Sequence, residues 1–391
     1  MKVIKVCMFV SRFLPQYSGA AIQCYSLLRE LKKRKVEAFV ISFSNDRKEP
    51  KYSIDGISVE TIFVNQKGTI KDKIKEMIKI FLTIYRNRSK IDILHIHCLS
   101  LSSLLAGFIL RKRIIQKLTL MGEDDIVTIK KHKLGIIKLL LMSKVNQIVS
   151  VSPALTDTLR NSKYFHNYDE VPNGVNTKIF RPVKNKYEKF EYREKLLLPV
   201  NAKIALFMGA IIDRKGIDVL IEAWNKVSLK YGKQLQLLLV GPEYIEGNSE
   251  FSVSFNRKLH KTISCLKLES KIKFVGEVKN PEKYLMCSDV FLFPSRREGL
   301  PNVLLEAMSC GLPCVVSRIP QITDHIIDHG LNGYLCEQED IESMAGNILK
   351  LFMDKELFVK IGAAARKTIE NRYDIANIAD TYKGMYRNLL L

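Results

Sequence analysis

Two glutamates, Glu298 and Glu306, stand eight positions apart in the stretch FPSRREGLPNVLLEAMSCGLPCVVS, residues 293–317. The apolar run at 289–293 reads as a short buried strand. A polar loop, 294–299, follows it. Pro301 suits the first turn of a helix, where its missing N–H costs nothing. Residues 302–308 read as that helix, Gly311 and Pro313 stop it, and 314–316 reads as the next buried strand. Glu298 therefore lies just ahead of a helix N-terminus, and Glu306 lies inside the helix.

A helix N-terminus offers unpaired N–H groups and a partial positive charge, which suits a phosphate. Glu306 sits about five residues into the helix, roughly 8 Å along it at 1.5 Å per residue. From there a carboxylate can accept both hydroxyls of a ribose whose diphosphate rests on the helix end. Glu298 is then placed to meet whatever the diphosphate carries. The ligand so described is a nucleotide sugar. The competing reading is a loop carboxylate and a solvated helix residue, and the glycine, proline and strand context argues against it.

The segment resembles the E-x7-E signature of glycosyltransferase family 4, retaining enzymes of the GT-B fold. That resemblance implies an α/β architecture of two Rossmann-like domains facing across a cleft. It implies that Glu298 contacts the transferred sugar and Glu306 the ribose, with Gly299, Leu300, Pro301, Asn302 and Val303 at the donor diphosphate. It is strong over 202–334 and looser before about residue 150, as expected of a shared donor domain beside a variable acceptor domain.

Other candidates fall at strand-to-helix loops. In GAIIDRKG, residues 209–216, Arg214 and Lys215 could neutralise a diphosphate, Lys as a point charge and Arg as a fork, or could be solvated helix-start charges. Lys215 matches the family's phosphate lysine. The family arginine position holds Gly209 or Ala210, so Arg214 is the substitute. Gly276 ends the strand 272–276, after which family backbones pair with the nucleotide base. Ser18-Gly19 opens a helix after the first strand. It is either a tight turn or, by resemblance, the turn that reaches the diphosphate. The pattern is not G-x-G-x-x-G, which disfavours a dinucleotide cofactor.

IDILHIH, residues 91–97, reads as a strand with His95 and His97 on one face. No partner at metal-ligand spacing accompanies them, and a core histidine is the alternative. The resemblance assigns His97 to the transferred sugar and His95 to structure. LTLMGEDD, residues 118–125, reads as the next strand and turn, with Met121 where many relatives carry histidine. Its acidic trio Glu123-Asp124-Asp125 reads as a loop open to the acceptor. His325, His329 and Asn332-Gly333-Tyr334 resemble a structural loop of the family.

The elements that carry these residues need two domains, because 391 residues exceed one ordinary core. The reading places an acceptor domain at 1–180, a donor domain at 181–372, and a helix at 373–391 that crosses back onto the first. No run of about 18 apolar residues suggests a membrane span, and no signal-peptide cleavage site follows the first strand. The eight cysteines include no C-x-x-C pair, so buried thiols in a reducing cytoplasm are expected.

The net charge is +21, and residues 1–180 hold 31 Lys+Arg against 15 Asp+Glu. The first half is expected to face something anionic, such as an inner membrane surface. Residues 68–91 read as a basic amphipathic helix with Ile70, Ile74, Ile78, Phe81 and Tyr85 on one face. It either packs that face on the sheet with its lysines in water, or lies on a membrane. Aromatic-interleaved basic motifs are missing, so nucleic acid is not an expected partner.

Together these readings predict a retaining transferase. It would move a sugar, most simply from a UDP-sugar, to a saccharide or lipid-linked saccharide in surface polysaccharide assembly. No metal or other cofactor is expected. A sugar-nucleotide epimerase of the same fold, or a catalytically silent relative, is the alternative.

Overall fold

Short apolar runs punctuated by glycine, proline and polar turns form parallel strands, and the amphipathic stretches between them form the crossover helices. The computed structural model describes residues 3–15, 18–44, 50–64, 69–97, 99–162, 164–232, 234–245 and 250–391. Cys98 and Gly68, and the side chain of Ile70, lie outside this set. The chain divides into one unit of Met1–Gly174 with Ile375–Leu391 and a second of Val175–Asp374.

In the first unit, eight strands are β1 (Ile4–Val10), β2 (Val36–Ser44), β3 (Lys51–Ile54), β4 (Ile57–Phe63), β5 (Ile93–Ile96), β6 (Arg113–Leu118), β7 (Gln147–Ser150) and β8 (Tyr168–Glu170). Their order is β3-β4-β2-β1-β5-β6-β7-β8, parallel except for the β3–β4 hairpin. That hairpin turns at Asp55-Gly56, both at positive φ, as a two-residue hairpin loop requires. β1 is central and buried on both faces, so it reads as a continuous apolar run.

The first unit departs from expectation in two places. The strand expected to begin at Leu118 ends there, and 119–125 is turn. Asp124 accepts from Thr119 N and Oγ1 at 2.9 and 2.6 Å, and Asp125 caps the next helix by accepting from Thr128 N at 2.8 Å. Both carboxylates thus serve the turn itself. In the helix Ile70–Arg86, Ile80, Thr83 and Ile84 are buried, whereas Ile74, Ile78 and Tyr85 are exposed. The stripe expected to pack on the sheet is the outer one.

The returning helix Ile375–Leu390 packs on the helix Gly19–Lys33. Arg34 Nε donates to Asp380 Oδ1 at 2.7 Å and Nη2 to Ala376 O at 2.7 Å. Tyr382 and Tyr386 are fully buried in this layer.

The second unit is one parallel sheet of β9 (Lys203–Met208), β10 (Leu235–Val240), β11 (Ile272–Gly276), β12 (Val290–Phe293), β13 (Cys314–Ser317) and β14 (Tyr334–Cys336), ordered β11-β10-β9-β12-β13-β14. The order reverses direction between β9 and β12, the place where open α/β sheets bind ligands at the strands' carboxyl ends. Asp289, just before β12, accepts from Ile204 N, Arg193 Nη2 and Lys189 Nζ at 2.7, 2.8 and 2.7 Å. Burial pushes this carboxyl up, but Lys189 and Arg193 outweigh it and hold it below the usual carboxylate range. The trio pins the helix Lys186–Lys195 to the sheet. The stretch after β14 forms two helices, Ile341–Met353 and Lys355–Arg372, with Asp354 capping the second. Asn332 is buried and bonds Ile326 O, Asp328 N and Thr368 Oγ1 at 3.1, 2.8 and 3.0 Å, a structural loop as expected.

Candidate active site

The loops after β9 and β12 carry the charged candidates, and both lie at the carboxyl edge of the sheet. Lys215 Nζ is 2.5 Å from Glu298 Oε1. Glu298 is 7% exposed, so the pair is largely desolvated and strong for its charge. Arg214 is farther away: its Nη1 lies 3.7 Å from Glu298 Oε1, while its Nε pairs with Glu250 at 2.6 Å. The structure thus brings Lys215 and Glu298 into contact and sets Arg214 at their margin.

Two features lock these loops together. Gly216 has φ 66, and a Cβ there would lie 2.1 Å from Pro294 O, so the backbone after Lys215 needs glycine for both conformation and space. Arg296 N donates to Arg214 O at 2.9 Å, and its guanidinium fans out to Asp213 O, Asp218 Oδ2 and Glu339 Oε1 at 2.5, 2.9 and 2.7 Å. Arg296 was not singled out from sequence. Its partners lie far along the chain, and nothing in the Arg296-Arg297 run distinguishes it from a solvated charge.

Pro301 is the N-cap of the helix Asn302–Ser309 rather than part of its first turn. Leu304 N and Leu305 N return to Pro301 O at 3.0 and 3.3 Å, which makes Asn302 and Val303 the helix's first two residues. Gly299 and Leu300 are buried beneath this end. Glu306 points inward from the same helix and is 9% exposed. Burial, with the charge of Glu282 added, pushes its carboxyl up to about 8. Glu282, on the helix Pro281–Cys287, is a second acidic neighbour that the sequence reading did not connect to the site. Gly276 closes β11, and its carbonyl accepts from Gly241 N at 2.8 Å.

Gly19 and His97 belong to the first unit. Gly19 is the first residue of its helix, where Ser18 Oγ caps by accepting from Ala21 N at 3.1 Å. His97 is buried and stacked on His95, with ring centroids 4.3 Å apart. His95 Nδ1 meets Tyr386 Oη at 2.8 Å, and the Nε2 atoms of both rings are buried without a partner among the described residues. Burial pushes both imidazoles well below their usual range; Lys117 adds to this for both rings, and His95 adds to it for His97. Both are neutral at pH 7. No cluster of three metal-ligating side chains occurs among the described residues. Lys117, missed in a strand whose start was misplaced, is buried beside them. Its Nζ donates to Asn173 Oδ1 at 2.9 Å, and burial pushes its amine down to about 8.

The second unit matches the family model described as glycosyl transferases group 1 over residues 188–368, and the first matches Glycosyltransferase Family 4 over residues 17–179. The chain is a family 4 glycosyltransferase. This transferase is 25% identical over 371 residues to the capsular polysaccharide biosynthesis glycosyltransferase CapM of Staphylococcus aureus, covering 92% of each chain. It is 28% identical over 222 residues to the UDP-Gal:alpha-D-GlcNAc-diphosphoundecaprenol alpha-1,3-galactosyltransferase of Escherichia coli, covering 56% of this chain and 54% of that one. Among solved structures, Anabaena HepE in complex with UDP and glucose superposes with a TM-score of 0.79 at 18% identity, covering 98% of this chain and 99% of that one. The glycosyltransferase therefore has the GT-B fold, with one parallel-sheet α/β domain in each unit.

Proposed function

We propose that this glycosyltransferase moves a sugar from a UDP-sugar to a saccharide or lipid-linked saccharide, with retention of anomeric configuration, in cell-surface polysaccharide assembly. One observation carries the donor part. Lys215 and Glu298 touch across two interlocked loops, at the open end of the helix that holds Glu306. In this reading the diphosphate sits at Lys215 and the helix end, with Arg214 at its margin. Glu298 holds the sugar and Glu306 the ribose. His97 and Gly19 belong to the other unit and enter on the resemblance alone.

The bond from the sugar's anomeric carbon to the diphosphate oxygen breaks. A bond from that carbon to the acceptor oxygen forms, and the acceptor's proton goes to the leaving phosphate. Lys215 and the helix N–H groups stabilise the charge that grows on the diphosphate, which is the electrostatic work a metal would otherwise do. The capsular polysaccharide biosynthesis in the Staphylococcus relative's name favours a surface polysaccharide, and the diphosphoundecaprenol in the Escherichia relative's name favours a polyprenyl-diphosphate acceptor. The basic first half favours an anionic membrane surface nearby.

The test is incubation of purified protein with UDP-sugars, with and without undecaprenyl-diphosphate saccharides. The anomeric configuration of the product is then read by NMR. Transfer that keeps the donor's α-configuration is expected. Inverted product would refute retention, and conversion of the donor without an acceptor would mark an epimerase.

A further inference from the structure

A half-buried arginine joins two parts of the second unit that are far apart in sequence. Arg366 lies on the helix Lys355–Arg372. Its Nη1 donates to Ser309 O, Ser309 Oγ and Phe180 O at 2.7, 3.0 and 2.8 Å, and its Nη2 donates to Thr177 O at 3.0 Å. Ser309 Oγ donates in turn to Phe180 O at 2.6 Å. Nε donates to Glu370 Oε1 at 2.7 Å, one turn along the same helix, which sets the plane of the guanidinium.

The two parts have different duties. Ser309 is the last residue of the helix Asn302–Ser309 and lies one turn beyond Glu306, on the same face. Its carbonyl is one of those a helix leaves unpaired at its C-terminus, where the helix dipole also favours a cation. Thr177 and Phe180 belong to the segment by which the chain enters the second unit at Val175. That segment is a compact turn. Phe180 N and Ile179 N donate to Asn176 O at 2.9 and 3.1 Å, and Val175 N donates to Tyr373 O at 2.8 Å.

The tie is built into the backbone. A Cβ on Gly362, one turn before Arg366, would lie 2.3 Å from Gly311 O, and Gly311 has φ 69 with its own Cβ position 3.2 Å from Pro182 Cγ. Glycine at both places lets the helix Lys355–Arg372, the turn after Ser309 and the entry segment approach until one guanidinium reaches the carbonyls of Thr177, Phe180 and Ser309. Lysine has no planar donor fork and cannot make the same set of bonds. The helix Asn302–Ser309 has eight residues and is about 12 Å long. Cys310 N donates to Glu306 O at 3.0 Å, so a load on Glu306 is carried directly to the Ser309 end.

We propose that Arg366 is a positioning residue for the donor. It ties the helix that carries Glu306 to the entry segment at 175–180, so that nucleotide binding and the ordering of that segment reinforce each other. Such coupling is reciprocal. The proposal rests on the reading that a nucleotide sits at Glu306.

The experiment is hydrogen–deuterium exchange on the full chain, with and without saturating UDP, for wild type, R366K and S309A. Titration calorimetry gives the UDP affinity of each protein, and melting temperatures report folding. In wild type UDP should slow exchange about tenfold in peptides covering 302–309 and in peptides covering 175–180. R366K should keep the slowing at 302–309, lose it at 175–180 and bind UDP up to about tenfold more weakly. S309A removes only a hydroxyl from the tie, carries the test should R366K not fold, and should lose about threefold of the slowing at 175–180. A residue that only stabilises the fold would lower the melting temperature and leave affinity and slowing alone. That result in both variants would overturn the proposal, as would slowing confined to 302–309 in wild type. Slowing at neither place in wild type would refute the nucleotide reading and the proposal with it.

Discussion

Replacing Glu306 by glutamine should stabilise the protein, and by more as the pH rises. The carboxyl is held at about 8 in the folded chain against an ordinary 4.5. Between those values the unfolded chain has released its proton while the folded chain keeps it, so stability falls with rising pH across that window. The stability is whole below about pH 4.5 and fully lost above about pH 8. At about 1.4 kcal/mol per unit, the full window is worth about 5 kcal/mol, and about 3 kcal/mol is already lost at pH 7. These are upper limits, because water reaching a side chain that is 9% exposed relieves part of the burial. Glutamine has the shape of the neutral acid and does not titrate. The variant should therefore match wild type at pH 5 and melt roughly 6–12 °C higher at pH 7 for a unit of this size. Differential scanning calorimetry from pH 5 to pH 9 reads this directly. A gap independent of pH, or a variant less stable than wild type at pH 8, would refute the buried-carboxyl reasoning.

The same proton bears on ligand binding. If the ionised Glu306 holds the ribose through charged hydrogen bonds worth about 1.5–3 kcal/mol, Glu306→Gln should weaken UDP-sugar binding little at pH 7 and about tenfold or more at pH 9. Titration calorimetry at both values would show it, and equal losses would remove ionisation from the account. Lys215→Ala should lower turnover more than tenfold at fixed donor concentration, and near-wild-type turnover would take Lys215 out of the site. Arg296→Ala frees both loops and should lower kcat/KM about tenfold with Lys215 and Glu298 intact; unchanged kinetics would show that Gly216 alone holds the loops. Asp289→Asn leaves Arg193 and Lys189 without their buried counter-charge and should cost about 3–5 kcal/mol in urea unfolding, while a loss below about 1 kcal/mol would mean that solvent already screens the trio.

The second unit's strands at 272–276, 289–293 and 314–316 were legible nearly to the residue. Its inner strands are buried on both faces, so each is a plain apolar run between turn residues, as in β9 and β12. The first unit hid more. β6 carries Gln116 and Lys117 in buried positions, and this polar content displaced the expected strand to the following turn. The β3–β4 hairpin went unread although Asp55-Gly56 is a hairpin signal. In the helix Ile70–Arg86, periodicity correctly found two faces. It could not say which one meets the sheet, because that is decided by the neighbouring strands and the helix Leu101–Ile109. At the candidate site, residue types and spacing pointed to Lys215, Glu298 and Glu306. The clamp at Arg296 and the acidic pressure of Glu282 depend on folded proximity that spacing does not encode.

The central claim is that a nucleotide sugar sits on Lys215, Glu298 and the helix bearing Glu306. Its most direct test is a thermal-shift panel of UDP, GDP, ADP and their sugars on wild type and Lys215→Ala. The account predicts that UDP and a UDP-sugar stabilise wild type and leave the variant nearly unmoved. Equal stabilisation of both proteins, or none of wild type by any nucleotide, would contradict it.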